Sequence, residues 1–319
     1  MSPGRTLKTR GTFVAEIIAN ERLCDEHFCL RLRADEFPPS RAGQFVQLQC
    51  CRPAEQGGLG EVDWPEGKWP KLAQPELTRR HPLLRRPFSL AGRRDVQGGV
   101  ELDVIYRTIG AGTARLAGLQ PAERLSVLGP LGNGFTLGNN KPAAVLVGGG
   151  VGIPPLLYLA EALASAGKDV TAFVGSRSAN LLPLELVADK PPDANGKPAL
   201  CIRQFSALGI EAAVATDDGT LGVEGFVSGA LARWLGRKTI SPGSLVVYSC
   251  GPEAMMAAVA DTCIAAGIEC QLALERYMAC GMGTCQSCVV KIRDESEQGW
   301  SFKLCCTDGP VFDARDVLW

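Results

Sequence analysis

The final fifty or so residues carry a cysteine pattern that leaves few ways for them to fold. From Cys280 the chain reads CGMGTCQSC, with thiols at Cys280, Cys285 and Cys288 spaced C-x4-C-x2-C, and two more, Cys305 and Cys306, follow in KLCCTDGPVF. A segment from Cys270 to Trp319 is too short to bury an apolar core of its own, so something besides burial is expected to hold it. Three thiolates at this spacing turn inward from one tight loop, the arrangement that surrounds a 2Fe-2S cluster when a fourth cysteine arrives from downstream. Gly281 and Gly283 permit backbone conformations and a close amide approach that a Cβ obstructs, so loop amides can donate to cluster sulfurs. Zinc also accepts four thiolates, but zinc ribbons use paired C-x2-C knuckles, which this tail lacks. The fourth ligand is Cys305 or Cys306. Neighbours on an extended segment face opposite ways, and spacing alone does not choose between them.

Eight of the 13 cysteines lie beyond residue 249, in a chain of 319 residues. A disulfide scaffold is typically a short secreted chain with bridges throughout, so a cluster is the better reading of the C-terminal group. Cys24, Cys29, Cys50, Cys51, Cys201, Cys263 and Cys270 read as small buried apolar residues. With 33 basic and 34 acidic side chains, no overall field favours nucleic acid or an anionic membrane. The start lacks an apolar signal-peptide core, and no run approaches eighteen apolar residues, so a cytoplasmic location is expected.

Up to residue 138, short alternating or β-branched runs such as GTFVAEIIANE, HFCLRLRA and VELDVIYRT, separated by Gly, Pro and Asp turns, predict an antiparallel β-barrel over 1–138. Residues 52–80 interrupt it with a Pro-, Gly- and charge-rich insertion that reads as a long exposed loop. From Pro142 the pattern changes. AAVLVGGG, PPLLYLAEALASAG and VTAFVGS form a strand-helix-strand unit, and SLVVYSCG with PEAMMAAVADTCIAAG repeats it. The fold class expected is therefore multidomain β plus α/β, with a doubly wound nucleotide-binding domain over 139–269 and a cluster domain over 270–319.

GGGVGIPP closes a strand and opens a helix, so Gly150 and Gly152 can let a diphosphate approach backbone amides. Pro155 stands where the full G-x-G-x-x-G fingerprint has its third glycine. The next strand ends in GSRS, placing Ser176 and Arg177 to meet an adenosine ribose without deciding between NAD and NADP. Cys250, in CGPEAMM, falls at the carboxyl edge of the sheet, where its sulfur can lie near a nicotinamide ring. In the barrel, Arg86 and Ser89 of RRPFSL suit a flavin pyrophosphate, and YRTIGAGT offers a compact anion nest at Gly110, Gly112 and Thr113. His27 and His81 fall in no motif and read as structural or exposed.

RPFS, YRTIGAGT, GPLGNGF, GGGVGIPP and CGPEAMM follow the order and spacing of the ferredoxin-NADP reductase superfamily. With CGMGTCQSCVV and CCTDGPVF appended, the chain closely resembles the electron-transfer subunits of class 1B dihydroorotate dehydrogenase over nearly its whole length. The family's C-x-D-G-P-V-F motif falls on Cys306, which the resemblance therefore implies as the fourth ligand. Its FAD contacts fall on Arg86, Pro87, Phe88, Ser89, Ile105, Tyr106, Arg107, Gly112 and Thr113. TDDGTLGVEGFV is similar to the TDDGS-x-G segment of NAD-using relatives. The insertion at 52–80 and the pair Cys305–Cys306 depart from the pattern.

The resemblance implies a separate FMN-bearing subunit that oxidises dihydroorotate for pyrimidine biosynthesis, two copies of each subunit in a heterotetramer, and electron flow through 2Fe-2S and FAD to NAD. Two alternatives share these motifs: the small subunit of an NADH-dependent ferredoxin:NADP oxidoreductase or sulfide dehydrogenase, and a redox sensor that binds flavin and cluster without turnover.

Overall fold

Alternation of apolar and polar residues builds the N-terminal sheet. Its strands are β1 (Gly11–Arg22), β2 (His27–Ala34) and β3 (Phe45–Leu48), the short pair β4 (Val62–Asp63) and β5 (Lys71–Leu72), then β6 (Arg86–Ser89), β7 (Gly92–Val96), β8 (Gly99–Arg107) and β9 (Arg124–Leu131). In β8 the residues Val100, Leu102, Val104 and Tyr106 are buried while those between them are half-buried, as a strand with one face on a core requires. They meet Leu30, Leu32, Leu48, Leu125 and Val127 in a single core. Seven antiparallel strands run in the order β6-β3-β9-β1-β2-β8-β7, with β4 and β5 paired separately. A short helix, α1 (Ala111–Ala117), follows β8 and buries Leu116 against this core.

The computed structural model describes residues 9–50, 62–63, 67, 71–72, 84–138, 140–237 and 241–319. Most of the expected insertion at 52–80 therefore lies outside the described residues, as do Cys51 and His81.

The barrel's outer face is charged. Asp103 on β8 accepts hydrogen bonds from Arg31 Nε at 3.0 Å and from Arg94 Nη1 and Nη2 at 2.7 and 2.9 Å. Burial pushes the Asp103 carboxyl up, but the bonds from Arg94 and Arg31 outweigh it and leave the group below the ordinary carboxylate range. A depressed folded-state pKa contributes stability that is complete above the ordinary carboxylate range and is lost as pH falls through it. Asp103→Asn is therefore expected to cost about 1–3 kcal/mol at neutral pH and much less under acid conditions, as denaturant melts at two pH values would report.

In the second half, continuous apolar runs make a parallel sheet buried on both faces. It consists of β10 (Ala143–Gly149), β11 (Asp169–Ser176), β12 (Glu211–Thr216), β13 (Val223–Glu224), β14 (Leu245–Cys250) and β15 (Glu269–Ala273), with helices α2 (Ile153–Ser165), α3 (Arg203–Ser206), α4 (Val227–Arg237) and α5 (Glu253–Ala265). The strand order is β13-β12-β11-β10-β14-β15. The chain leaves β10 on one side and returns to β14 on the other, which opens a ligand crevice at the carboxyl ends of β10 and β14. Tyr158 on α2 reaches the barrel, donating its hydroxyl to Ser40 O at 2.9 Å.

The tail, expected as the cluster domain over 270–319, is tied into the large sheet. Position 270 falls inside β15, and the tail returns β18 (Val311–Asp313) to pair antiparallel with that strand as the seventh member of the sheet. Its other strands, β16 (Val289–Arg293), β17 (Trp300–Leu304) and β19 (Val317–Leu318), form a small antiparallel sheet. Val290, Ile292, Ala314 and Val317 join the core on one face of the large sheet, beside Val247, Met256 and Leu272. Burial thus contributes to holding the tail, through a core it shares with the rest of the chain.

Among the described residues, no helix is long and apolar enough to cross a membrane.

Candidate redox centre and nucleotide sites

The loop between β15 and β16 carries three of the sequence-predicted thiols, Cys280, Cys285 and Cys288, and Cys306 follows β17. Gly281 and Gly283 have φ values of +70° and +87°, the left-handed conformation that glycine adopts at least cost. This folds the loop so that the amides of Met282 and Cys285 both point at Cys280 Sγ, each at 3.4 Å. The Cys285 thiol interacts with Ser287, whose Oγ is 3.2 Å away, and with Cys280; these hydrogen bonds bring it down to about 6. Cys306 interacts with Cys288, with the Gly283 amide and, through charge, with Cys280, and burial pushes it up to about 11. Cys285 thus neighbours Cys280, and Cys306 neighbours Cys288, although among the described residues no three such side chains stand grouped at metal-holding distance, so the fit rests on the chemistry of the donors. Two irons, each taking two protein sulfurs, need four such donors, and loop amides aimed at sulfur suit thiolates. The donor set fits a 2Fe-2S cluster.

Cys305 behaves differently from the expectation of an extended segment. Both it and Cys306 are buried, at 0% and 3% exposure, because β17 ends at Leu304 and the chain turns there. Amides of Thr307 and Asp308 donate to Leu304 O, and Asp308 Oδ2 accepts from the Leu304 amide at 2.7 Å. Burial, first, with charge from Cys288 and Cys306, pushes the Cys305 thiol up to about 12, while its own amide bonds Cys288 O at 3.0 Å. Burial alone therefore does not distinguish the neighbours, whereas the Cys306 thiol has the Cys288 and Gly283 partners.

Two residues that the sequence did not single out fasten the cysteine-bearing tail to the barrel. Gln47 on β3, only 1% exposed, donates from Nε2 to Ala279 O at 3.3 Å, and a Cβ at Gly281 would lie 2.5 Å from that nitrogen. Asn133 lies just after β9, within GPLGNGF. It donates from Nδ2 to Asp308 O and Val311 O at 3.0 and 2.8 Å and accepts from the Val311 amide at 2.9 Å. The only sequence signal for it was an asparagine inside a quoted motif. Asn133→Ala removes three bonds on the segment carrying Cys306, so faster cluster loss during chelator challenge is expected, by about tenfold, with flavin content unchanged.

The flavin motifs converge one strand away. Gln47 pairs with Pro87 and Leu48 with Arg86 across β3 and β6, so RPFS runs alongside the strand that touches the cluster loop. Arg86 lies against the start of α1, where a Cβ on Gly112 would meet Arg86 Cγ at 3.4 Å and Nε at 3.5 Å. Its Nη1 donates to Leu84 O at 2.9 Å, which holds the side chain beside the helix start, where a guanidinium suits a pyrophosphate. The Thr113 hydroxyl closes the turn, accepting from the Ile109 and Gly110 amides at 3.0 and 3.2 Å. Phe88 meets Tyr106 edge-on at 5.9 Å between centroids. Tyr106 itself is 1% exposed, stacks on Phe28 and donates to Asn20 Oδ1 at 3.1 Å, so its side chain belongs to the barrel core. Ile105 lies beside it on the opposite face of β8, and Arg107 is ion-paired with Glu26. His27 is buried, with Nδ1 3.3 Å from Cys24 Sγ; burial and then Arg107 hold its pKa low.

At the crevice, Gly150 has φ +54° and open space where its Cβ would stand, whereas Gly152 is pressed against the Cys250 carbonyl. Pro154 and Pro155 occupy the first turn of α2. Cys250 is paired with Gly148 at the carboxyl edge of the sheet. Burial, with Glu275 nearby, pushes its thiol up to about 12, so it stays protonated.

An antiparallel flavin-type barrel joined to a doubly wound nucleotide domain, with a three-thiol loop touching the barrel and a fourth thiol following β17, defines an iron-sulfur protein of the ferredoxin-NADP reductase fold. The solved NADH-dependent reduced ferredoxin-NADP oxidoreductase has this fold: TM-score 0.69 and 23% identity, over 97% of this chain and 91% of that one. An Amycolatopsis cytochrome P450 reductase is similar over 83% of this chain and 68% of its own, with TM-score 0.56 and 20% identity. Residues 275–318 match the iron-sulfur cluster binding domain of dihydroorotate dehydrogenase B. The electron transfer subunit of dihydroorotate dehydrogenase B (NAD(+)) from Caldanaerobacter subterraneus is 33% identical over 96% of this chain and 98% of its own. That from Bacillus caldolyticus is 39% identical over 74% of this chain and 81% of its own. The chain belongs to the family of dihydroorotate dehydrogenase B electron transfer subunits.

Proposed function

We propose that this chain carries electrons from a partner subunit that oxidises dihydroorotate, through a 2Fe-2S cluster and FAD, to NAD. Cys280, Cys285, Cys288 and Cys306 hold the cluster. Arg86 and the start of α1 hold the FAD pyrophosphate, with Pro87, Phe88, Ser89, Ile105 and Arg107 beside the flavin and contacts from Tyr106 made by its backbone. The turn at Gly150 and Gly152 would receive the dinucleotide, and Cys250, at the carboxyl edge of the sheet, would offer its nicotinamide an uncharged sulfur. When bound, the flavin exchanges single electrons with the cluster and a hydride with the nicotinamide.

The observation that carries this reading is the continuity from the four thiols to Gln47 on β3 and across to β6, which puts the cluster loop and the flavin strand in one packed unit. On the outer side of the same loop Tyr277 and Met282 are 96% and 49% exposed, a surface suited to docking the electron donor. The partner in this reading is an FMN-bearing catalytic subunit, two copies of each chain forming a heterotetramer. Copurification of the native complex tests it. A pull-down of this chain should bring down an FMN protein, and the pair should reduce NAD with dihydroorotate. Recovery of a large flavin and 4Fe-4S partner without that activity would favour the ferredoxin:NADP oxidoreductase alternative instead.

A further inference from the structure

Alternation divides the side chains of β3. Val46 and Leu48 enter the barrel core, so Gln47 between them faces the other way, toward the tail. β3 pairs Phe45 with Leu131 of β9 but Gln47 with Leu128, and the extra residue on β9 bends the sheet at this point. On its other side Gln47 stands opposite Pro87 of β6, which has no amide hydrogen, and the Gln47 carbonyl accepts from Arg85 Nη1 at 3.4 Å. Arg85 also donates to Ser126 O and Oγ at 2.9 and 2.8 Å, so one guanidinium ties the backbone of Gln47 to β9.

The amide at the end of this side chain straddles Cys280. On one side Nε2 donates to Ala279 O at 3.3 Å. On the other, a Cβ at Gly281 would stand 2.5 Å from Nε2 and 2.8 Å from Cδ, so the loop comes this close only because Gly281 has none. Ala279 O belongs to the peptide unit that supplies the Cys280 amide, and a hydrogen bond accepted there polarises the whole unit. Cys280 Sγ in turn receives the Met282 and Cys285 amides.

Burying an amide at 1% exposure is costly unless its groups are used, and Gln47 Oε1 has no hydrogen-bond partner among the described residues. An apolar side chain would fill the same space at less cost, so packing alone does not account for this residue. What the amide supplies is direction: its N–H end, the positive end of the dipole, points at the backbone around Cys280. Adding an electron to a cluster held by four thiolates adds negative charge, and N–H groups directed at its ligands favour the reduced form.

We propose that Gln47 is a positioning residue for electron transfer, which raises the cluster's readiness to take an electron by directing its amide at the peptide units on both sides of Cys280. It acts from the strand beside β6, where the flavin motif runs. The inference rests on a 2Fe-2S cluster held by the tail, and it deepens that reading.

The test is a redox titration of the anaerobic holoprotein, followed by the electron paramagnetic resonance signal of the reduced cluster, with iron and flavin counted in each preparation. Gln47→Met fills similar space without an N–H, so at a fixed potential it should lower the ratio of reduced to oxidised cluster by about threefold. Gln47→Lys keeps a donor for Ala279 O and adds a positive charge, so it should raise that ratio by about tenfold, or about 59 mV for one electron. A residue that only fastened the loop would shift both variants the same way, and opposite shifts are the mark of the amide's dipole. Shifts of one sign, or a Gln47→Met ratio within about 1.5-fold of wild type, would overturn the role given to Gln47 and leave the cluster assignment standing. If Gln47→Met sheds its iron, Gln47→Lys decides alone: a raised ratio supports the role and an unchanged or lowered one overturns it. Wild-type protein with no reducible cluster would overturn both the role and the reading beneath it.

Discussion

Replacing Cys306 with serine is expected to strip the iron from the protein while leaving its flavin in place, and replacing Cys305 is expected to do neither. The Cys306 sulfur interacts with Cys288 and the Gly283 amide, so its loss opens the four-sulfur set at the position that the downstream segment supplies. Iron should fall from about two atoms per chain to near zero, with the flavin absorbance unchanged. Cys305 packs into the shared core as a small buried residue. Its serine variant leaves a hydroxyl in an apolar setting and costs stability, about 1–3 kcal/mol, with the iron count intact. Iron and flavin assays on the two variants separate the neighbours, and the reverse pattern would reassign the ligand.

Gly152→Ala is expected to disable nucleotide reduction with flavin and cluster retained. A Cβ there would stand 2.2 Å from the Cys250 carbonyl oxygen, 2.3 Å from its carbon and 2.4 Å from the Gly251 nitrogen. All three are backbone atoms of the turn after β14, so relief requires shifting that turn or the start of α2. Either shift moves the amides at Gly150 relative to Cys250. The variant should need at least about tenfold more NADH to bleach its flavin and should lose about 3 kcal/mol or more of stability. NADH titration and thermal melts report the two effects. Unimpaired reduction by NADH would remove this turn from the nucleotide site.

The parts of the fold most legible in the sequence were those set by strong local patterns. The alternation in β8, the apolar run in β10 and the proline pair opening α2 all stand where the residues placed them. The left-handed glycines of the cluster loop were legible for a related reason, because they lie between ligands whose spacing already demanded a tight turn. What the sequence concealed depended on partners distant in the chain. Val311–Asp313 is too short to announce itself as a strand, and it becomes one only by pairing with β15. Gln47 and Asn133 are ordinary polar residues until the tail folds back on them, across a sequence separation of 232 residues in one case. Tyr106 sits in a flavin motif, yet only the packing of Phe28 and Phe88 reveals that its ring faces inward. The turn at Leu304, which buries both cysteines, arises from the Asp308 carboxylate capping a backbone amide, a bond that spacing does not encode.

Electron paramagnetic resonance of the anaerobic holoprotein after adding NADH tests the central claim most directly, because it asks whether electrons entering at the crevice reach the sulfurs of the tail. The account predicts bleaching of the flavin together with the signal of a reduced 2Fe-2S cluster. Flavin that bleaches with no such signal, in protein whose cysteines carry zinc, would contradict it.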